Sequence, residues 1–236
     1  MTQSFDPYAP PPEDATPHGA VMPSATPLYD AYQSLNQARR LRVPEGLATA
    51  VVVLSSVFLA GQLLATVLSF DAAEAYTGAA DPMDVYTAYD AVSGLLAAVM
   101  LAAFIVSCLW LNESRKFAVV VKPYYHHQRG PVWVWLGWVV PIVSLWFPYQ
   151  VVRDIRRSTI RESSGLAGWW STWLIANFFS YQSTQVTLRG DDGALLPGFE
   201  VITAVTLLIA FVCWLRIVRE LTVAQRAHVA AAQGHV

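Results

Sequence analysis

The 236-residue chain is 55% hydrophobic and only 14% charged, with a formal net charge of −2 and a mean hydropathy of +0.39. An ordinary soluble domain carries about 25% charged residues, so this chain has too few to wet its own surface, and lipid is the expected solvent. Its near-neutral balance, with no basic cluster away from the flanks of apolar runs, argues against a nucleic-acid partner, because neutralising phosphates requires one.

Residues 1–43 are rich in Pro, Ala, Asp and Ser and show no sustained apolar period. Such a composition buries too little surface to offset the entropy of ordering, so a disordered tail is expected, with Pro10, Pro11 and Pro12 favouring an extended polyproline form. The first apolar run follows Pro44, beyond the place of a cleavable signal peptide, and is expected to act as an uncleaved anchor.

That run, residues 46–70, carries no charge, and a helix of its length measures about 36 Å against a hydrocarbon core of about 30 Å. Residues 71–89 are polar, with Asp71, Glu74, Asp81 and Asp84 and no Lys or Arg. The second uncharged run, 91–111, places Gly94, Ala98 and Ala102 on one helix face, a spacing that lets backbones approach closely in lipid. Arg115, Lys116, Lys122 and Arg129 follow, then residues 131–152, apolar but interrupted by Pro141 and Pro148. Arg153, Arg156, Arg157 and Arg161 come next, ahead of an aromatic-rich run at 166–182 and a final apolar run at 199–217.

Five apolar runs read as five crossings would divide the basic residues almost evenly between the two sides, against the retention of Lys and Arg in cytoplasmic loops. If 131–152 instead enters and returns, or lies along the surface, every basic residue except Arg189 is cytoplasmic and the lysine-free acidic loop is outside. Pro141 removes a helical hydrogen bond and clashes with the preceding turn, which suits a break there. The expectation is an all-α, polytopic helical bundle with about four transmembrane helices plus one Pro-broken, Trp-rich, re-entrant or interfacial segment. Both termini are expected to be cytoplasmic, the membrane domain to span 44–220 and a short tail 221–236. The indoles of Trp133, Trp135, Trp138, Trp146, Trp169, Trp170 and Trp173 are expected at headgroup level. The apolar positions Ile142, Leu145, Trp146, Tyr149, Val152 and Ile155, followed by the arginines, also read as an amphipathic helix on anionic lipid.

The sequence GWVVPIVSLWFPYQVVRDI, then GWWSTWLIANFFS and RIVRELTVAQ, resembles an actinobacterial membrane family, domain of unknown function 4328. The resemblance runs over about residues 39–226 and rests on Gly137, Trp138, Pro141, Ile142, Leu145, Trp146, Pro148, Tyr149 and Gln150. It implies a multi-helix membrane domain and supplies no activity, substrate or catalytic residue. Ser144 and Phe147 depart from the polar residues that the family's pattern more often carries there.

No P-loop, dinucleotide fingerprint, G-x-S-x-G elbow or kinase set occurs, and no catalytic residue, cofactor site or metal site is expected. His126 and His127 lack a third ligand at usable spacing and read as a solvated pair. Cys108 and Cys213 lie in apolar runs, where a thiol packs as a small hydrophobe. Asp90 and Glu200 start their helices and are expected to act as caps, while Gln62 and Asn177 are the expected buried amides. The leading functional expectation is a non-enzymatic scaffold, accessory or regulatory membrane protein. Its partners would be the bilayer, and proteins meeting the cytoplasmic face or the Pro-rich tail, with the nine motif residues shaping that face. The alternative is a small transporter or channel using the broken 131–152 segment.

Overall fold

In the computed structural model, residues 42–79, 84–160, 165–189 and 193–234 are described; the segment 1–41, Asp81 and Arg161 lie outside them. The described residues are all-helical and contain no strand. Four long helices, α1 (Glu45–Gly78), α2 (Ala88–Val121), α5 (Leu166–Arg189) and α6 (Leu196–Gly234), are joined by two short ones, α3 (Trp133–Val139) and α4 (Phe147–Thr159).

Local chemistry sets most boundaries. Helix α2 starts at a capping box, in which the Thr87 backbone N–H donates to Asp90 Oδ2 at 2.7 Å, satisfying a donor that the first turn leaves unpaired. Helix α3 stops where Val140 turns extended, with ψ of 116°, because the residue before a proline is excluded from the helical region. Helix α4 carries Pro148 in its first turn, where the missing N–H costs nothing. Gly165 precedes α5 at φ +85°, a left-handed conformation that a residue with a Cβ adopts only at a cost.

Helix α1 packs on α2 and on α6, and α6 packs on α5, so the spatial order is α2, α1, α6, α5. The outer pair, α2 and α5, pack against α1 and α6 rather than against each other, and α3 and α4 lodge at one end of the space between them. Three helical segments are long and apolar enough to cross a membrane: Glu45–Gly78, Ala88–Val121 and Gly193–Gln233. Helix α5 has 24 residues, about 36 Å at 1.5 Å per residue, but Ser171, Thr172, Asn177, Gln182 and Ser183 dilute its hydropathy.

Several expectations need correction. Helix α1 continues through Asp71 and Glu74, which had read as loop, because Ala72, Ala73 and Tyr76 are buried there beside the turn at Gly193. Helix α2 likewise runs through Arg115 and Lys116 to Val121. The Gly94, Ala98, Ala102 stripe is not a packing seam: a Cβ on Gly94 would meet nothing within 4 Å. The close approach of α1 and α2 is at Gly61, where a Cβ would come within 2.5 Å of Leu96 Cδ2. Of the seven tryptophans expected at headgroup level, Trp169 and Trp170 are buried by protein, with Trp169 stacked on Trp214 at 5.1 Å and Trp110, outside that set, edge-on to Trp214 at 5.6 Å, whereas Trp146 stays exposed. Finally, Val151, Val152 and Ile155 of α4 are buried in this same core, so its apolar face is spent on helices rather than on a lipid surface.

Candidate functional site

The broken segment is a compact hairpin whose two arms are tied at their base. Ahead of α3, the Gln128 backbone N–H donates to Asp154 Oδ2 at 2.8 Å and Arg129 Nε donates to Gln150 Oε1 at 2.7 Å. The Arg129 guanidinium also lies 3.8 Å from the centre of the Phe147 ring, a favourable cation–π placement. Within the hairpin Gly137 is buried, and a Cβ there would stand 3.2 Å from Phe147 Cβ, so the arms touch where a side chain is missing. At the tip, Ser144 Oγ donates to Pro141 O at 2.6 Å. The tip is held to α5 by Trp170 Nε1 donating to Leu145 O at 2.7 Å, with Trp138 edge-on to Trp170 at 6.0 Å.

The nine motif residues therefore serve different places. Gly137 and Pro148 are buried contacts between the arms, Gln150 anchors the base, and Tyr149 lies under the Arg153 guanidinium at 5.8 Å. Pro141, Ile142, Leu145 and Trp146 form the exposed tip. Sequence reasoning missed Arg129, Phe147 and Asp154; the four-residue step from Gln150 to Asp154 was the only available signal.

Between α2, α5 and the hairpin tip lies a cavity of about 790 Å³. Trp138, Trp169, Trp170, Trp173, Phe104 and Phe178 supply much of its wall. Of its polar lining groups, Ser144 is spent on Pro141 O, and Asn177 Nδ2 donates to Trp173 O of its own helix at 2.8 Å. Asn177 is thus an exposed, self-satisfied amide rather than a buried one.

At the opposite end of the bundle a carboxylate is buried. Glu200, 4% exposed, accepts from Gln62 Nε2 at 2.5 Å and from Tyr89 Oη at 2.8 Å, so α1, α2 and α6 meet on one side chain. Glu200 is an interhelical acceptor rather than a helix cap. Asp90 does cap α2, and it also accepts from Tyr76 Oη at 2.7 Å.

Basic residues gather at the hairpin end. Arg226 pairs with Glu45 at 2.7 Å, Arg156 pairs with Glu220, and Lys122 Nζ donates to Arg157 O at 3.3 Å. His127 is not solvated: it is half-buried, edge-on to Tyr125 at 5.1 Å, and neither ring nitrogen finds a partner among the described residues. Burial first, then the nearby Arg115 charge, holds its imidazole below the ordinary 6.5, with Asp154 opposing. No group of three or more His, Cys, Asp or Glu among the described residues could hold a metal ion.

The family described as "Domain of unknown function (DUF4328)" matches residues 77–195, which include the whole hairpin. No curated protein and no solved structure matches the chain.

Proposed function

We propose, from the premise that this chain belongs to the domain of unknown function 4328 family, that it is a multi-pass membrane protein acting by contact rather than catalysis. In this reading α1, α2, α5 and α6 are four crossings and the α3–α4 hairpin is re-entrant. The basic end faces the cytoplasm, with the N-terminal side of α1 and the C-terminal end of α6, and presents a surface for protein partners.

The observation that carries the reading is the sidedness of charge. Every described lysine and arginine except Arg189 lies on the half of the bundle where α1 starts and α2 and α6 end, and the hairpin both leaves and rejoins that end. Moving the hairpin's arginines outward is what the insertion bias selects against. Helix α5 qualifies by length and by packing along α6, its polar side chains being tolerable where they bond their own backbone, as Thr172 and Asn177 do. The buried acids Asp154 and Glu200 are both occupied by structural donors, which supports a non-enzymatic role. A photo-crosslinking residue at Tyr124, fully exposed on the basic end, should yield a discrete adduct with another protein in intact membranes. A protein that stays monomeric and adduct-free at Tyr124 and at Arg157 would overturn the contact role.

The cavity favours a transporter as the second reading, because broken helices beside a cavity line substrate paths. Solute flux in liposomes that disappears with Pro141→Ala would promote it over the first.

A further inference from the structure

We infer that Glu200, together with the hydroxyls of Ser183 and Thr203, binds a monovalent metal cation between the helices near the outer end of the bundle. The inference rests on the four crossings proposed above and goes beyond them by assigning an ion to a side chain inside the span.

The three residues stand at one level of the bundle. Ala176 of α5 and Leu207 of α6 share one buried cluster, and Val186 and Leu196 share another. The two helices are antiparallel neighbours. Seven residues onward from Ala176 to Ser183, and seven back from Leu207 to Glu200, are two turns on each helix and keep the pair opposite. Thr203 lies three residues from Glu200, on the same face of α6. On α1, Thr66 Oγ1 donates to the Glu200 carbonyl oxygen at 3.3 Å. Thr66 belongs to the uncharged run 46–70, so the Glu200 carboxylate stands within the apolar span.

Two independent deficits meet there. The first is of charge. Glu200 accepts only from the neutral donors Gln62 and Tyr89, and Arg189, the described basic residue on this half of the bundle, is exposed at the end of α5 and makes no ion pair with it. Asp90, next to Tyr89, adds a second negative charge whose oxygens are already bonded to Tyr76 and Thr87. Ionised side chains inside a span are costly and persist where they are paired. The second deficit is of partners. Ser183 Oγ and Thr203 Oγ1 belong to residues 2% and 3% exposed, and neither finds a hydrogen-bond partner among the described residues. Buried hydroxyls are ordinarily bonded, as Thr66 and Thr222 are to carbonyls of their own helices.

One occupant removes both deficits. A carboxylate offers about four lone-pair sites. Gln62 and Tyr89 take two, which leaves two for a cation, and the hydroxyl oxygens of Ser183 and Thr203 complete its contacts as neutral ligands. Such an all-oxygen set suits a hard ion. One available carboxylate matches a single positive charge, and no group of three or more His, Cys, Asp or Glu among the described residues offers a softer or more highly charged ion its ligands. A proton would neutralise the carboxylate but would leave at least one of the two hydroxyl oxygens idle.

The test uses the full chain in a mild non-ionic detergent, with thermal unfolding followed by circular dichroism. Sodium or potassium chloride replaces choline chloride at constant ionic strength, which holds screening fixed. A saturable rise in unfolding temperature is expected in wild type and in the control Thr206→Ala, whose hydroxyl donates to Ile202 O of its own helix at 2.7 Å. The rise should vanish in Glu200→Gln. In Ser183→Ala/Thr203→Val half-saturation should move up about tenfold, the lower end of what disturbed support costs a metal site. Stability of that double variant in choline alone should not fall, because an unpaired buried hydroxyl contributes none. No rise over choline in wild type would overturn the inference. So would an equal rise in Glu200→Gln, or an unchanged half-saturation in the double variant. Stability that follows pH and ignores both alkali ions would assign the carboxylate to a proton and overturn it too. Release of the protein from membranes by carbonate alone would overturn the crossings themselves, an outcome distinct from loss of the ion response.

Discussion

Glu200 illustrates what a single residue must satisfy in this bundle. A carboxylate taken out of water is tolerated only while donors replace its hydration, and Gln62 and Tyr89 supply two of them from different helices. Gln62→Leu should therefore cost about 1–3 kcal/mol, the penalty for stranding a buried acceptor. Glu200→Gln should cost less, because a neutral amide still accepts from Tyr89. Thermal unfolding in detergent followed by circular dichroism would order the two, and the opposite order would show that the carboxylate is not held by these bonds. His127 supplies a second residue-scale prediction. Its folded-state pKa lies below 6.5, so the unfolded chain takes up a proton more readily than the folded one. The stability it contributes is complete above about pH 6.5 and is lost as pH falls from there through the lowered value. Hydrogen exchange over residues 122–130, corrected for intrinsic rates, should accelerate on acidification, and His127→Leu should flatten that dependence.

At the scale of elements, the hairpin depends on a backbone contact that a glycine permits. Any Cβ at position 137 would press on Phe147 Cβ at 3.2 Å, tighter than ordinary packing, and overfilling of this kind costs about 1–3 kcal/mol. Gly137→Ala should lower the unfolding temperature accordingly. Because the clash is with Cβ itself, Phe147→Ala should not rescue the variant, while Phe147→Gly should relieve the clash at the expense of the ring. A rescue by alanine would place the conflict in the ring and refute the geometry. The proline that ends α3 and the amphipathic pattern of α4 were legible in the sequence, since each acts through its immediate neighbours. Which way α4 turned its apolar face was not, because lipid and a neighbouring helix are equally good apolar surfaces to a periodic pattern. Only the positions of α2, α5 and α6 settle that.

For the whole molecule, the arrangement of charges makes the topology testable. With Cys108 and Cys213 replaced by alanine, a membrane-impermeant thiol reagent applied to intact cells should label a cysteine at Arg189 or Tyr86. It should spare one at Tyr124 or Arg157 until the membrane is opened. Labelling of the Arg157 position from outside would convert the hairpin into a full crossing. The sequence by itself determined the helical class, the three apolar runs that became α1, α2 and α6, the break at Pro141 and the uneven placement of arginine. These follow from hydropathy, proline geometry and charge, all of which act within a few turns of chain. Tertiary structure alone decided that Trp169 and Trp214 stack in a core and that Gly61 rather than Gly94 is the close approach. It also decided that Glu200 finds donors 111 and 138 residues away and that a cavity persists between α2 and α5. Each of these depends on which helix lies beside which, and uniformly apolar surfaces carry no local signal of their neighbours, because lipid and protein present nearly the same solvent to them.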